Sequence, residues 1–443
     1  MSLVMLQGRR QAAVKALLAT AAFLPLGQQI VIFGLHFQFF RILIVIGFVR
    51  LVSRGETRGF SFNGVDKLFV AWALVATVCG ALRDPDSIMG INCLGGAFNA
   101  FGTYFLIRVL IKDPAEALEH LRFLAVAVIV VALAMSWEYV LHRNLFAVFG
   151  GVLEFPEMRD NRFRCQGPFE HPILAGTFGA TLFPLLMGLW FRGGHNRRLA
   201  FLGISACAFI SMVAAASSGA ALTCLTGATG FALWTMRTQM RYVRLGMVLI
   251  VAALSLVMKA PVWYIIARVS DLVGGTGWHR AYLIDQAVKY FGEWWLIGSS
   301  VTAHWASAGQ VLAVDPRNMD ITNDYIAQGL HGGVLGLGLF LAIIVSCFKI
   351  VGRVWRMGAD SPFGPKLMWA FGVTLACHCT AFISISYYDQ MQVFWFWLLA
   401  VFAALAVWLP KNAASGWVPQ LPEPALPAHT LRAPETYRVG RAN

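Results

Sequence analysis

The sequence predicts an all-α integral membrane protein, and three observations carry the prediction. Hydrophobic residues make up 58% of the chain and charged residues only 13%, where a soluble domain carries about a quarter. The apolar residues gather in runs approaching the roughly 20 residues that a helix needs to cross a bilayer. Lys and Arg recur between alternate runs, as they do in the cytoplasmic loops of multi-pass proteins.

About twelve runs qualify as spans: residues 13–33, 38–53, 66–82, 91–111, 121–141, 171–191, 199–216, 219–236, 245–265, 326–348, 366–387 and 391–409. Pro25 interrupts the first, and only the turn at Ser217-Ser218-Gly219 separates the seventh from the eighth. The opening "MSLVMLQGRRQAAVK" places basic residues before an apolar run without a small-residue cleavage site. It reads as an uncleaved first helix.

With a cytoplasmic N-terminus, the inner segments collect Arg9, Arg10 and Lys15, then Arg50, Arg54, Arg58 and Lys67, then Arg108, Lys112 and Arg122. Arg192, Arg197, Arg198, Arg237, Arg241, Arg244, Lys349, Arg353, Arg356 and Lys366 continue the pattern. The short outer turns hold only Arg83. Both termini then lie in the cytoplasm. This distribution accounts for the net charge of +13 without a nucleic-acid partner. Residues 1–410 form one polytopic membrane domain, and 411–443, rich in Pro and Ala, form a disordered cytoplasmic tail. Two larger segments face outward, at about residues 142–170 and 267–325. The inner side shows no glycine-rich nucleotide loop, so chemistry belongs to the outer face and needs an activated substrate.

The eight cysteines are scattered. Cys377-His378-Cys379 has ligating side chains, but it is too tight for the usual zinc spacing and falls mid-helix, so core packing is preferred and no metal is expected.

Candidate chemistry lies in three outer stretches. In "RCQGPFEHPILAG", Arg164 precedes Gly167 and then Glu170-His171-Pro172 at a helix mouth, with Arg159 and Arg162 just upstream. Guanidinium forks match phosphate oxygens, and a helix N-terminus favours an anion. The plain alternative is a solvated loop of ion pairs, which is preferred for Arg159. In "GGTGWHRAYLIDQAVKYFGEWWLIGSS", Arg280 opens an amphipathic helix, with Trp294 and Trp295 expected at the headgroup level. In "ITNDYIAQGLHGGVLG", Asn323 and Asp324 suit a helix cap, and the glycines suit close helix packing. Arg41 and Glu138 are intramembrane charges. Each either snorkels to the interface or faces the site, Arg41 then being a further phosphate contact.

These stretches resemble the O-antigen ligase and Wzy-type polysaccharide polymerase superfamily. "RCQGPFEHPILAGTFGATLFPLL" is similar to its pattern of Arg, a turn, an N/H-P pair and a small-residue helix. "WHRAYLIDQAVKYFGEWWLIGSS" is similar to its Arg-led amphipathic segment. "TNDYIAQGLHGGVLG" matches its His-Asn-x9-Gly-x-x-Gly pattern through Asn323, Gly333 and Gly336. The chain departs at Thr322, where the family has His, and at Ser217-Ser218-Gly219, which lacks the family's Arg. His304 is another source of an imidazole, and His331 sits deep in its span. The departure at Thr322 leans the reading from lipid-A-core ligase toward a polymerase or a divergent exopolysaccharide enzyme.

The resemblance implies a GT-C-like glycosyltransferase architecture in a bacterial inner membrane, active on the periplasmic face. It implies transfer of a glycan from an undecaprenyl diphosphate carrier to a glycan or lipid-A-core acceptor hydroxyl, without metal or cofactor. Membrane lipid and polysaccharide assembly proteins are the further partners it implies. Arg164 and Arg280 are then the diphosphate clamps and Glu170 and His171 the candidate bases. Arg41, Arg162, Thr322, Asn323, Gly333 and Gly336 border the substrate. Two rival readings are a lipid-linked oligosaccharide transporter (flippase) and a non-catalytic subunit of a polysaccharide export machine.

Overall fold

The computed structural model describes residues 1–32, 35–83, 87–159, 161–194, 196–273, 277–306, 318–358 and 361–413. The expected tail beyond 413, and residues 307–317 of the second loop segment, lie outside them. The chain begins with α1 (Ser2–Gln7), α2 (Arg10–Phe23), a hairpin of β1 (Gln29–Ile32) and β2 (Leu35–Gln38), α3 (Phe39–Ser53), α4 (Gly64–Arg83), α5 (Ser87–Leu110) and α6 (Ala117–Leu141). A second hairpin, β3 (Glu157–Arg159) and β4 (Arg162–Arg164), leads to α7 (Pro172–Trp190), α8 (Asn196–Phe209), α9 (Ser218–Ala232) and α10 (Met240–Val257). Next come α11 (Ile265–Val273), α12 (Gly277–Lys289) and α13 (Phe291–Trp294). The long α14 (Asp324–Arg356), α15 (Gly364–Ala381) and α16 (Gln390–Ala413) complete the bundle.

Among the described residues, eight helical runs are long and apolar enough to cross a membrane. This is the pattern of a multi-pass membrane protein. The eight differ from the expected twelve for local reasons. α2 stops at Phe23 because Leu24 precedes Pro25 and is extended, with φ −115° and ψ 133°. Its 14 residues reach only about 21 Å. The expected eighth and ninth spans join in one helical run of 40 residues, Ser218–Val257, which bends where Met236 leaves helical geometry. α10 within it buries no residue. The expected eleventh span ends six residues early, at Ala381, and 382–389 turn irregularly.

α7 lies at the centre, against α8, α9 and α15. Small residues allow this: a Cβ on Gly176 would lie 2.5 Å from that of Ala220, and one on Gly179 would lie 2.9 Å from the Cys207 carbonyl. At the basic end, several cations have partners within the fold. Arg50, fully buried, donates to Glu56 at 2.8 Å and to the Met5 and Gly8 carbonyls at 2.7 and 2.8 Å. Arg10 pairs with Glu116 and Lys15 with Glu119, both at 2.9 Å. Asp66, also buried, accepts from the Tyr104 hydroxyl at 2.6 Å and from Arg108 at 3.2 Å.

α14 is broken at Gly332 and Gly333. Gly333 has φ +62°, and a Cβ there would collide with the Leu296 carbonyl. Arg83 from α4 donates to the carbonyls of Leu330 and Ile297 at 2.6 and 3.0 Å, capping the first half of the broken helix. Packing also explains Gly329, which lies beneath the Trp294 ring, a Cβ at that position approaching it to 2.7 Å, whereas Gly338 and Gly352 meet nothing within 4 Å. Trp294 is 8% exposed and donates its indole N–H to the Ala287 carbonyl at 2.8 Å. It is a core residue, not the headgroup anchor expected of it. Trp295, 49% exposed, remains outside.

Candidate functional site

The loop following β4 is held by its backbone as well as its side chains. The Cys165 amide donates to the Ala214 carbonyl at 2.8 Å. The Gln166 and Gly167 amides donate to the two oxygens of Glu138 at 3.0 and 2.9 Å. Asn144 donates to the Gly167 carbonyl at 2.8 Å, and Gln390 to the Pro168 carbonyl at 2.7 Å. Glu138 is 1% exposed. It neither snorkels nor faces an open site; it anchors this loop.

The anchored loop presents Arg164 and Glu170. Arg164, 5% exposed, pairs with Glu157 across the hairpin at 3.4 Å. Arg159 and Arg162 are exposed. Arg280 arrives from α12, 3% exposed, and donates to the Ser218 hydroxyl at 3.2 Å. Gly219 makes room for it, since a Cβ there would lie 3.0 Å from the guanidinium and 2.6 Å from Ser384. Ser217-Ser218-Gly219 therefore belongs to the site through its hydroxyl and its small size.

The electrostatics show what the fold has gathered. Burial and the nearby charges of Arg159 and Arg164 push the Arg280 guanidinium down to about 10. Burial, with Arg164 and Arg159, pushes His171 down to about 4. Charges of one sign brought together, two of them away from water, raise the energy of the site, and an anion relieves it. Arg159, expected to be an ordinary loop charge, contributes to this field.

His171 is the cap of α7. Its Nδ1 accepts from the Ile173 amide at 3.1 Å, so one ring nitrogen is already engaged. Asn323 caps α14, accepting from the Ile326 amide at 3.2 Å, and is 2% exposed. Thr322 is half-buried beside it. Gly333 and Gly336 serve the break and packing of α14, with Gly336 facing the Gln328 carbonyl. Arg41 donates to Asn99 at 2.9 Å.

Sequence reasoning missed Asp389. It sits with φ +46° just before α16, and its carboxyl lies beside that of Glu170. Burial and the neighbouring carboxyl of Glu170 raise Asp389 to about 8. Burial, with Glu170, Asp389 and Asp320 beyond it, raises Tyr388 as well. The run "SISYYDQ" carried a signal: a carboxylate between two apolar runs is costly and rarely idle. Segment 382–390 ties the parts together. Asp324 donates its amide to the Phe382 carbonyl at 2.7 Å, Ser386 donates to the Ile321 carbonyl at 2.6 Å, and Gln390 reaches Pro168.

A cavity of about 530 Å³ adjoins this segment, between α4, α5 and α14. A small pocket containing Asp389 shares Gln392 and Phe396 with it. Among the described residues no group of His, Cys, Asp and Glu is placed to hold a metal. Cys377 contacts the Thr223 carbonyl and His378 the Tyr387 hydroxyl, so that motif is packing. The arrangement provides a cationic recess beside a pair of carboxyls. No protein-family model matches this chain, and no curated protein matches it either.

Proposed function

We propose that the protein transfers a glycan from an undecaprenyl diphosphate carrier to an acceptor hydroxyl, as a polysaccharide polymerase or O-antigen ligase of the periplasmic face. The observation that carries this reading is the gathering of Arg159, Arg164 and Arg280, two of them buried, with Arg280 depressed by burial and by its neighbours. A diphosphate has the charge and the oxygen geometry that such a cluster lacks when empty.

In this reading Arg164 and Arg280 hold the diphosphate. The acceptor oxygen attacks the anomeric carbon from the opposite side, the carbon–oxygen bond to the diphosphate breaks, and the configuration inverts. The leaving group gains negative charge, which fixed guanidinium donors stabilise. The acceptor's proton passes to ionised Asp389, whose carboxyl, raised to about 8, suits a base working close to neutrality.

The test is surface glycan formation in a deletion strain complemented with wild type, Arg164→Ala, Arg280→Ala or Arg280→Lys at matched protein levels. Each alanine variant should lose at least about a hundredfold in transfer, the scale of one lost charge-stabilising donor. Alanine variants that sustain wild-type glycan refute the clamp and leave a non-catalytic subunit as the better account. The break in α14 favours a second reading, a transporter of the lipid-linked glycan, because transporters use discontinuous helices. Purified protein that forms product from carrier and acceptor in detergent excludes it.

A further inference from the structure

The 530 Å³ cavity lies outside the arginine cluster and is lined by a different chemistry. Its walls carry the indoles of Trp72 and Trp395 and the amides of Gln328 and Gln392. The amides are held in place: Trp72 donates to Gln328 Oε1 at 2.8 Å, and Gln328 Nε2 reaches Asp324 at 3.4 Å. Gln392 donates to the Tyr387 carbonyl at 3.0 Å, which leaves its own oxygen to accept. Small residues, Ala76 and Ala97 among them, leave the space between α4 and α5 open.

Flat aromatic faces beside fixed amides suit sugar rings, which offer apolar C–H faces and hydroxyls that both donate and accept. A diphosphate finds little here, because the lining arginine, Arg83, is directed at the carbonyls of Ile297 and Leu330. The volume is that of a site for one drug-sized ligand, or about one or two pyranose rings. Gln392 and Phe396 line both this cavity and the pocket that contains Asp389. A ring seated in the cavity therefore has its end near the carboxyl pair, with the arginines beyond.

We propose that this cavity is the acceptor subsite and binds the terminal sugars of the glycan that receives the transferred chain. The proposal rests on the transfer reading for the word acceptor, and on the cavity alone for the sugar.

The test uses purified full-length protein in lipid nanodiscs. The first probe is oligosaccharide released by mild acid from the source cell's surface glycan, followed by saturation-transfer NMR. The second is undecaprenyl diphosphate, followed by native mass spectrometry. Ala76→Phe fills the cavity, Gln328→Leu removes an amide, and Arg164→Ala disables transfer. Wild type and Arg164→Ala should bind the oligosaccharide, while Ala76→Phe and Gln328→Leu should lose it and keep undecaprenyl diphosphate. In turnover, Gln328→Leu should raise the acceptor KM about tenfold, the scale of one lost hydrogen bond, with the donor KM unchanged. Cavity variants that bind the oligosaccharide as wild type does overturn the proposal, and so does loss of undecaprenyl diphosphate in its place. Oligosaccharide binding that is lost in the cavity variants of a protein with no transfer activity supports the sugar site and overturns the transfer reading.

Discussion

Glu138→Ala tests the most specific structural claim, that one buried carboxylate organises the loop bearing Arg164 and Glu170. Glu138 accepts from the amides of Gln166 at 3.0 Å and Gly167 at 2.9 Å, and the residue is 1% exposed. Alanine leaves both amides without their acceptor. Each buried donor so stranded costs about 1–3 kcal/mol, so the variant should lose about 2–6 kcal/mol. Glu138→Gln keeps one accepting oxygen and turns an N–H₂ toward the other amide, so its loss should fall between alanine and wild type. The global assay is thermal unfolding of detergent-solubilised protein. The local one is trypsin cleavage after Arg159, Arg162 and Arg164, which should accelerate in proportion. A Glu138→Ala protein that unfolds like wild type and cleaves no faster refutes the anchoring argument.

The proposed base gives a pH signature. Asp389 is raised to about 8 by burial and by Glu170, so below that pH Asp389 holds a proton and transfer falls about tenfold per pH unit. Rates of purified protein should climb toward a plateau above pH 8. Glu170→Gln should move the limb to lower pH by removing the like charge, and Asp389→Asn should abolish it; an unmoved limb in both variants excludes the pair. Gly298→Ala should cost more than about 2 kcal/mol in the same unfolding assay, because φ is +84° and its Cβ would collide with the Leu330 carbonyl. Asp66→Ala strands Arg108 in a buried site and should cost about 3–5 kcal/mol, and Arg108→Met in the same chain should recover part of that loss.

The membrane-protein class was legible from composition, because bilayer thickness imposes long apolar runs. Helix starts at Pro172 and Asn323 were legible from local capping chemistry. Where two backbones compete over several residues, the one-dimensional pattern fell short. Hydropathy carries α2 past Phe23, and only the steric effect of Pro25 on Leu24 ends it. The same averaging absorbed 382–387 into an eleventh span, although Ser384, Ser386 and Asp389 make that stretch too polar to stay helical without partners. Arg164 and Arg280 were readable as isolated guanidiniums. Their approach to each other, and that of Asp389 to Glu170, depends on contacts between segments more than a hundred residues apart along the chain. No spacing rule encodes that. Glu138 was visible as an odd charge, but its two amide partners come from a loop that no periodicity describes.

Gln390 has a consequence for biogenesis. Its side chain reaches the carbonyls of both Leu24 and Pro168 at 3.3 and 2.7 Å, so one later residue fastens two segments made much earlier. Membrane insertion proceeds from the N-terminus as the chain is made. The arginines and Glu170 are therefore made well before the residues that complete their surroundings. A chain that stops short of residue 390 has the loop around Pro168 held by Glu138 and Asn144 but without the fastening that Gln390 adds.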